Sequence, residues 1–332
     1  MLRLLSLLLV LPVISHAEPV QNIVEEHILP GFGTLERNAA DLDAVAAVDC
    51  APNSEQLRKA YHATFDAWIG VSHLRFGPTE ADHRAFALAF WPDSKGATGR
   101  ALAQLIADED QVIDDPESFA QVSVAARGLY ALEQLLYGDY VGETPYHCTL
   151  IRAISHDISR VSTAMANDWR VNYAALLLTP GAEGNQRYFS YDEAMRELFT
   201  SLASGVEFTA DVRLGRPLGT FERPRPTRAD AWRAGRSLRN VALSLHATKS
   251  MALMLSETAP PEITNRLTQA FDRAIELAER LEDPDFAGVA VQQERIRVEA
   301  LQSAIKGIQT IITTELGPAI GVAGGFNSLD GD

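Results

Sequence analysis

The stretch Arg127–Gly138, RGLYALEQLLYG, decides how the rest of the chain is read. Val122, Ala126, Leu129, Leu132 and Leu136 recur at three- and four-residue steps, the spacing of an amphipathic helix. Glu133 interrupts that apolar stripe, four residues after Leu129 and three before Leu136, with Tyr130 and Tyr137 one turn away on either side. A buried ionised carboxylate without partners costs several kcal/mol or shifts its pKa upward. Glu133 therefore needs partners, or it stands at the rim of a cleft. Gly128 adds a second irregularity, because a glycine inside a helix costs roughly 1 kcal/mol relative to alanine and marks a close approach by another segment.

Outward from this stretch, the chain reads as helical nearly throughout. Val20 to Val48 reads as a long first helix, interrupted or bent near Pro30-Gly31. A second starts at the cap Asn53 or Ser54 and runs to Phe76, with Leu57, Tyr61, Phe65 and Trp68 on one face. Prolines and glycines in RFGP, FWPD and SKG make the next segment irregular, and a short helix follows to about Ala107. Asp114-Asp115-Pro116 caps the helix bearing Glu133, and Thr144-Pro145 opens a fourth long helix that ends at Thr179-Pro180-Gly181. The second half repeats the plan with Tyr188 to Leu214, Arg228 to Ser256, Pro261 to Leu281 and Phe286 to Leu316. The expected fold is all-α, two four-helix bundles spanning 18–185 and 186–332. Ala67-Trp68 with Leu74-Arg75 echoes Ala231-Trp232 with Leu238-Arg239 at a constant offset, as an internal duplication would produce.

Arg3, the apolar run Leu4 to Ile14 and the small residues of Ser15-His16-Ala17 read as a secretory signal peptide, 1–17, cleaved after Ala17. No later stretch is apolar for long enough to span a bilayer. The expectation is a soluble periplasmic protein. Its 29 basic and 44 acidic side chains leave a net charge of −15, and loss of Arg3 deepens it, which argues against non-specific nucleic-acid binding. Cys50 and Cys148 are the only cysteines; in an oxidising compartment they suggest one disulfide, the alternative being two separate buried thiols.

Gly128, Tyr130 and Glu133 fall where the imelysin family, also classed as the M75 peptidases, carries its Gly-x-His-x-x-Glu motif, with tyrosine at the histidine position. HILPGF at His27, RFGP at Arg75, WPD at Trp91, AWRAGRSLRN and the ending GFNSLDGD also resemble the periplasmic imelysin-like branch. The resemblance implies the two-bundle plan and an association with bacterial iron uptake. It also implies a metallopeptidase as an alternative, which the missing motif histidine weakens. A third reading is an envelope adaptor without a small ligand.

Three groups of residues could carry chemistry. Glu133 with Tyr130 and Tyr137 offers hard oxygen atoms suited to ferric iron, so Glu133 and Tyr130 are candidate metal ligands; the plainer reading is a carboxylate hydrogen-bonded to a tyrosine or an arginine. His62, Asp66 and His73 share a helix face, the first two as a solvated pair and His73 beside the irregular segment with Arg75. Eight arginines lie between Arg213 and Arg239 against only Glu222 and Asp230. Among them Arg233, Arg236 and Arg239 could bind an anionic ligand or tie the halves together, with Arg236 or Arg239 as counter-charge for Glu133. Trp91 and Asp93, and the tail from Gly321 to Asp332, could line a cleft. The signatures G-x-S-x-G, HExxH, P-loop and CxxC are absent, which leaves no support for common hydrolase, nucleotide or redox chemistry. The resemblance, with its motif histidine missing, implies a non-catalytic binding component with iron-uptake or envelope proteins as possible partners.

Overall fold

The computed structural model describes residues 17–322, so the signal-peptide reading and most of the glycine-rich tail lie outside the described residues. Nine helices carry the architecture: α1 (Leu29–Val48), α2 (Glu55–Val71), α3 (Ala97–Asp108), α4 (Gly128–Tyr137), α5 (Pro145–Asp168), α6 (Tyr191–Glu207), α7 (Ser237–Leu255), α8 (Pro261–Glu279) and α9 (Gln292–Ile311). No strand occurs among the described residues beyond one isolated bridge between Thr220 and Arg223. Helices α1, α2, α4 and α5 pack as one group of four and α6, α7, α8 and α9 as another, joined chiefly along α2 and α7. No helix among the described residues is long and apolar enough to cross a membrane.

Apolar stripes at helical spacing supply the core. Phe32, Leu35, Ala39, Leu42 and Ala46 of α1 face Leu57, Tyr61, Phe65 and Trp68 of α2, all buried. Side-chain caps start the helices where the sequence places polar residues: Ser54 accepts the Leu57 N–H at 3.3 Å, Thr144 that of His147 at 3.3 Å and Ser190 that of Glu193 at 3.3 Å. Cys50, just past α1, and Cys148, in the first turn of α5, form a disulfide with Cα atoms 5.2 Å apart.

Four π turns interrupt the long helices, at Ile23–Ile28, Trp169–Tyr173, Phe208–Leu214 and Ile312–Leu316. The interruption expected near Pro30-Gly31 takes the form of the first of them, in which Leu29 N–H reaches back to the Val24 carbonyl. The wider turn accommodates a proline that lacks a donor and crowds the carbonyl four residues earlier.

Several expected boundaries move. Asp114-Asp115-Pro116 does not cap the Glu133 helix: the Asp115 carboxylate accepts the Ser118 N–H at 2.8 Å and starts the single turn Pro116–Phe119. The chain then breaks, and α4 begins only at Gly128. Gly128 is therefore the first residue of α4, at φ 72°, and a Cβ there would collide with the carbonyl oxygens of Ala87 and Leu88. Arg127 pins this junction, its guanidinium donating to both oxygens of the buried Asp157 at 2.8 and 2.9 Å and to the Ala120 carbonyl at 2.6 Å.

In the second half, α7 starts at Ser237 rather than Arg228, because Ala231 (φ 47°) and Gly235 (φ 63°) turn the chain left-handed ahead of it. This bears on the sequence echo. Ala67-Trp68 lies inside α2, whereas Ala231-Trp232 lies in the turn before α7, so the echo has no counterpart in local structure.

Candidate functional site

The turn that delays α7 lies against α4, and their meeting builds the site. Glu133, 3% exposed, accepts the Ala234 N–H at 3.1 Å, and the Arg233 N–H also points its partial charge at the carboxylate. Its partner is thus the backbone of the arginine-rich turn and not a guanidinium of Arg236 or Arg239. Burial pushes Glu133 up to about 7, against the opposing pull of the Ala234 N–H and of Arg233. The folded protein therefore holds this proton more tightly than the unfolded chain, where the value is 4.5. The associated stability is fully present below pH 4.5 and is lost as the pH rises through about 7. Relative to a Glu133→Gln variant, the wild type should lose up to about 3 kcal/mol across that window, measured as the difference in urea unfolding free energy. A difference that stays flat with pH would show that Glu133 is ionised throughout.

Tyr130, at the position of the motif histidine, is 8% exposed and donates its hydroxyl to Asp230. Asp230 is fully buried and paired with Arg213, itself 3% exposed. Burial raises the Tyr130 phenol well above its ordinary range and lowers Arg213 to about 10, so at neutral pH the phenol keeps its proton and the arginine its charge. Tyr137 points elsewhere, to His62 Nε2 at 2.9 Å. Arg236 donates to His62 Nδ1 at 2.9 Å; since arginine can only donate, the neutral His62 carries its proton on Nε2 and gives it to Tyr137. Burial, then the Arg236 charge, lowers His62 to about 4.

His62 and Asp66 are not the solvated pair expected. Arg236, 1% exposed, donates to Asp66 at 2.6 Å and to Asn240 at 3.1 Å, and Arg239 forks onto both Asp66 oxygens, one at 2.8 Å. Burial works to raise Asp66, but the hydrogen bonds from Arg239 and Arg236 outweigh it and hold the carboxyl below its usual range. Two of the arginines thus join α7 to α2. A double-mutant cycle should give about 1–3 kcal/mol of coupling for Asp66 with Arg236, and under about 0.5 kcal/mol for Glu133 with Arg239. The reverse order would place the counter-charge on Glu133 after all.

Trp91 lies parallel to Tyr130, ring centres 6.2 Å apart and planes 14° apart, and this pair forms a wall shared by two cavities. The first, about 250 Å³, is lined by Trp91, Glu133, Gln134, Arg216, Trp232 and Arg233 among others. Asp93 lines it too, but its carboxylate accepts the Ala97 and Thr98 N–H groups at 2.9 and 2.8 Å and so starts α3. The second cavity, about 480 Å³, is the more apolar, with Trp68, Ile69, Phe86 and Phe208. His73 and Arg75 stand on its wall, away from Glu133. His73 meets His27, Nε2 to Nε2 at 3.0 Å, burial lowering both, and Arg75 pairs with Glu80 over the Phe86 ring.

The residues beside Glu133 do not fit a resident metal ion. The Tyr130 oxygen is protonated and committed to Asp230, and one Glu133 oxygen is taken by a backbone N–H. Among the described residues no group of three or more His, Cys, Asp and Glu side chains is placed to hold an ion. The polar core of the site also includes residues that the sequence did not assign to it. Tyr61 is fully buried beside Glu133 with no hydrogen-bond partner for its hydroxyl among the described residues. Asp230 and Arg213 were visible only as members of the arginine run, where Asp230 is one of just two acids.

A family model described as Imelysin, Peptidase_M75, matches residues 28–312. The fold is similar to that of an imelysin-like protein from Psychrobacter arcticum 273-4, with TM-score 0.80 and 19% identity, over 95% of this chain and 98% of that one. It is also similar to a "putative iron-regulated protein A precursor" from Parabacteroides distasonis ATCC 8503, with TM-score 0.75 and 13% identity, over 92% of this chain and 96% of that one. No curated protein matches the sequence.

Proposed function

Since the chain belongs to the imelysin (M75) family, we propose that it is an exported periplasmic binding protein of bacterial iron acquisition that works without catalysis, its ligand seated in the cleft beside Glu133. The observation that carries this reading is the fate of the motif position. Tyr130 is buried, protonated and bound to Asp230, and the surviving carboxylate holds a backbone turn in place. A metallopeptidase needs an ion with an open coordination position and a general base free to act on water. Tyr130, committed to Asp230, offers no oxygen to such an ion, which supports the non-catalytic reading. The cleft itself supports binding: it is concave, lies where the two helical groups meet, and mixes aromatic faces with a few charged groups. The link to iron draws on the family and on the regulation named for the Parabacteroides protein.

Elemental analysis of the protein purified from the periplasm, with a chelator-controlled peptidase assay, tests the reading. The expected result is no stoichiometric zinc and no chelator-sensitive cleavage. Stoichiometric zinc that disappears in Glu133→Gln would put the peptidase first.

The same proposal treats 18–185 and 186–332 as separate domains. Between them Asn185 is buried and ties the connection down, donating to the Leu176 and Thr179 carbonyls at 2.8 and 2.9 Å. Limited proteolysis should nick the exposed residues Ala182, Glu183 and Gly184 and leave two folded pieces. Cleavage confined to helix interiors would count against the division.

A further inference from the structure

The arginine run divides into two sets. Arg213, Arg236 and Arg239 are paired with Asp230 or Asp66. Arg216, Arg223, Arg225 and Arg228 have no carboxylate within ion-pair distance among the described residues, although the chain as a whole is strongly acidic. Arg225 and Arg228 are near enough to Arg216 to act on its charge. Arg216 is destabilised as a cation first by burial and then by the charges of Arg228 and Arg225. Such crowding of unpaired like charges is unfavourable in the empty protein and is relieved by an anion.

Arg216 and Arg228 line the Glu133 cleft, and so does Arg233. Arg233 makes a long contact of 3.4 Å with the exposed Asp139, and its charge also acts on Glu133 across the cleft. Arg216 lies 5.9 Å from the centre of the Trp91 ring and Arg233 4.5 Å from that of Trp232. Three polar atoms of cleft-lining residues are buried without a hydrogen-bond partner among the described residues: Arg216 Nε, Gln134 Oε1 and Thr98 Oγ1. A buried donor left unmade costs about 1–3 kcal/mol, so its retention at a cavity wall points to a ligand atom that completes it.

We propose that this cleft is an oxyanion site, in which Arg216 and Arg228, with Arg233, hold the carboxylate or phosphate group of a small organic anion. Guanidinium forks match the paired oxygens of either group. Trp91 and Trp232 supply apolar surface for the rest of the molecule, and the Gln134 amide oxygen accepts one of its donors. The volume of about 250 Å³ limits the ligand to a small ion rather than a peptide. This assignment rests on reading the cleft as the binding site and adds the charge of what it binds.

The test is calorimetric titration of the purified full-length mature chain, at low ionic strength, with four probes: succinate, citrate, inorganic phosphate and pyrophosphate. Saturable binding of at least one probe is expected, and whether the carboxylates or the phosphates bind identifies the group recognised. Arg216→Gln and Arg228→Gln should each weaken that binding about tenfold or more, while Arg223→Gln, an exposed arginine outside the cleft, leaves it unchanged. Arg228 is exposed, so its variant keeps the test intact if Arg216→Gln folds poorly. Binding should weaken further as salt is added. Absence of binding by all four probes at millimolar concentration, or equal binding by the Arg228→Gln and Arg223→Gln variants, would overturn the proposal. The non-catalytic reading would survive that result, since elemental analysis decides it separately; zinc found together with intact anion binding would do the opposite.

Discussion

Replacing Asp230 with alanine should lower the stability of the protein by about 3–5 kcal/mol, the cost of leaving a buried charge without its partner. Asp230 is fully buried and Arg213 is 3% exposed, so water does not replace the missing carboxylate. Arg213 is shifted down by burial only to about 10, so it stays charged at neutral pH and is left without its counter-charge. Tyr130 loses the acceptor of its hydroxyl in the same step. Asp230→Asn keeps an acceptor for Tyr130 while removing the charge, and it should fall between the wild type and the alanine variant. Urea unfolding at neutral pH, with the slope of the transition held constant, measures both changes. A loss under about 1 kcal/mol for the alanine variant would mean that the Tyr130–Asp230–Arg213 chain does not form in solution.

The disulfide should contribute an effect of similar size. Cys50 and Cys148 are separated by 98 positions, and closing a loop of that length removes unfolded-state entropy worth about 4–5 kcal/mol in the chain-entropy model. The Cα separation of 5.2 Å lies in the usual range for a disulfide. The Cys50→Ser, Cys148→Ser double variant should therefore unfold at a much lower urea concentration than the oxidised wild type. Adding a reductant to the wild type should reproduce most of that change. Intact mass after alkylation of the denatured, unreduced chain checks the bond itself: no alkyl group should add, and uptake of two would show free thiols.

The helices were legible in the sequence because burial follows periodicity. The stripe of α2, read at three- and four-residue steps, is the face that packs. The disulfide was legible for a different reason, as two cysteines leave one possible pairing. What periodicity could not show is where helices break for tertiary reasons. The residues before Gly128 and before Ser237 fit helical patterns, yet a carbonyl approach at Gly128 and the left-handed Ala231 end those patterns. The site was half legible. Glu133 stood out as a charge on an apolar stripe, but its partner is a backbone N–H, which no residue type reveals. Asp66 looked like a solvated side chain because its two arginines lie in the other half of the sequence. Arg216 and Arg228 were hidden within a run whose better-spaced members, Arg236 and Arg239, have structural partners.

The wall between the two cavities gives the molecule an optical reporter. Of its four tryptophans, Trp169 is fully buried and Trp68 is 3% exposed, whereas Trp91 and Trp232 are part-exposed and line the arginine-rich cleft. A dissolved quencher reaches only the latter two. Guanidinium groups of Arg216 and Arg233 stand over those indole rings, so collisions there favour iodide over caesium despite the acidic surface elsewhere. The emission of this protein therefore separates by quencher sign into a silent interior and a responsive pair, and occupancy of the cleft can be followed without any added label.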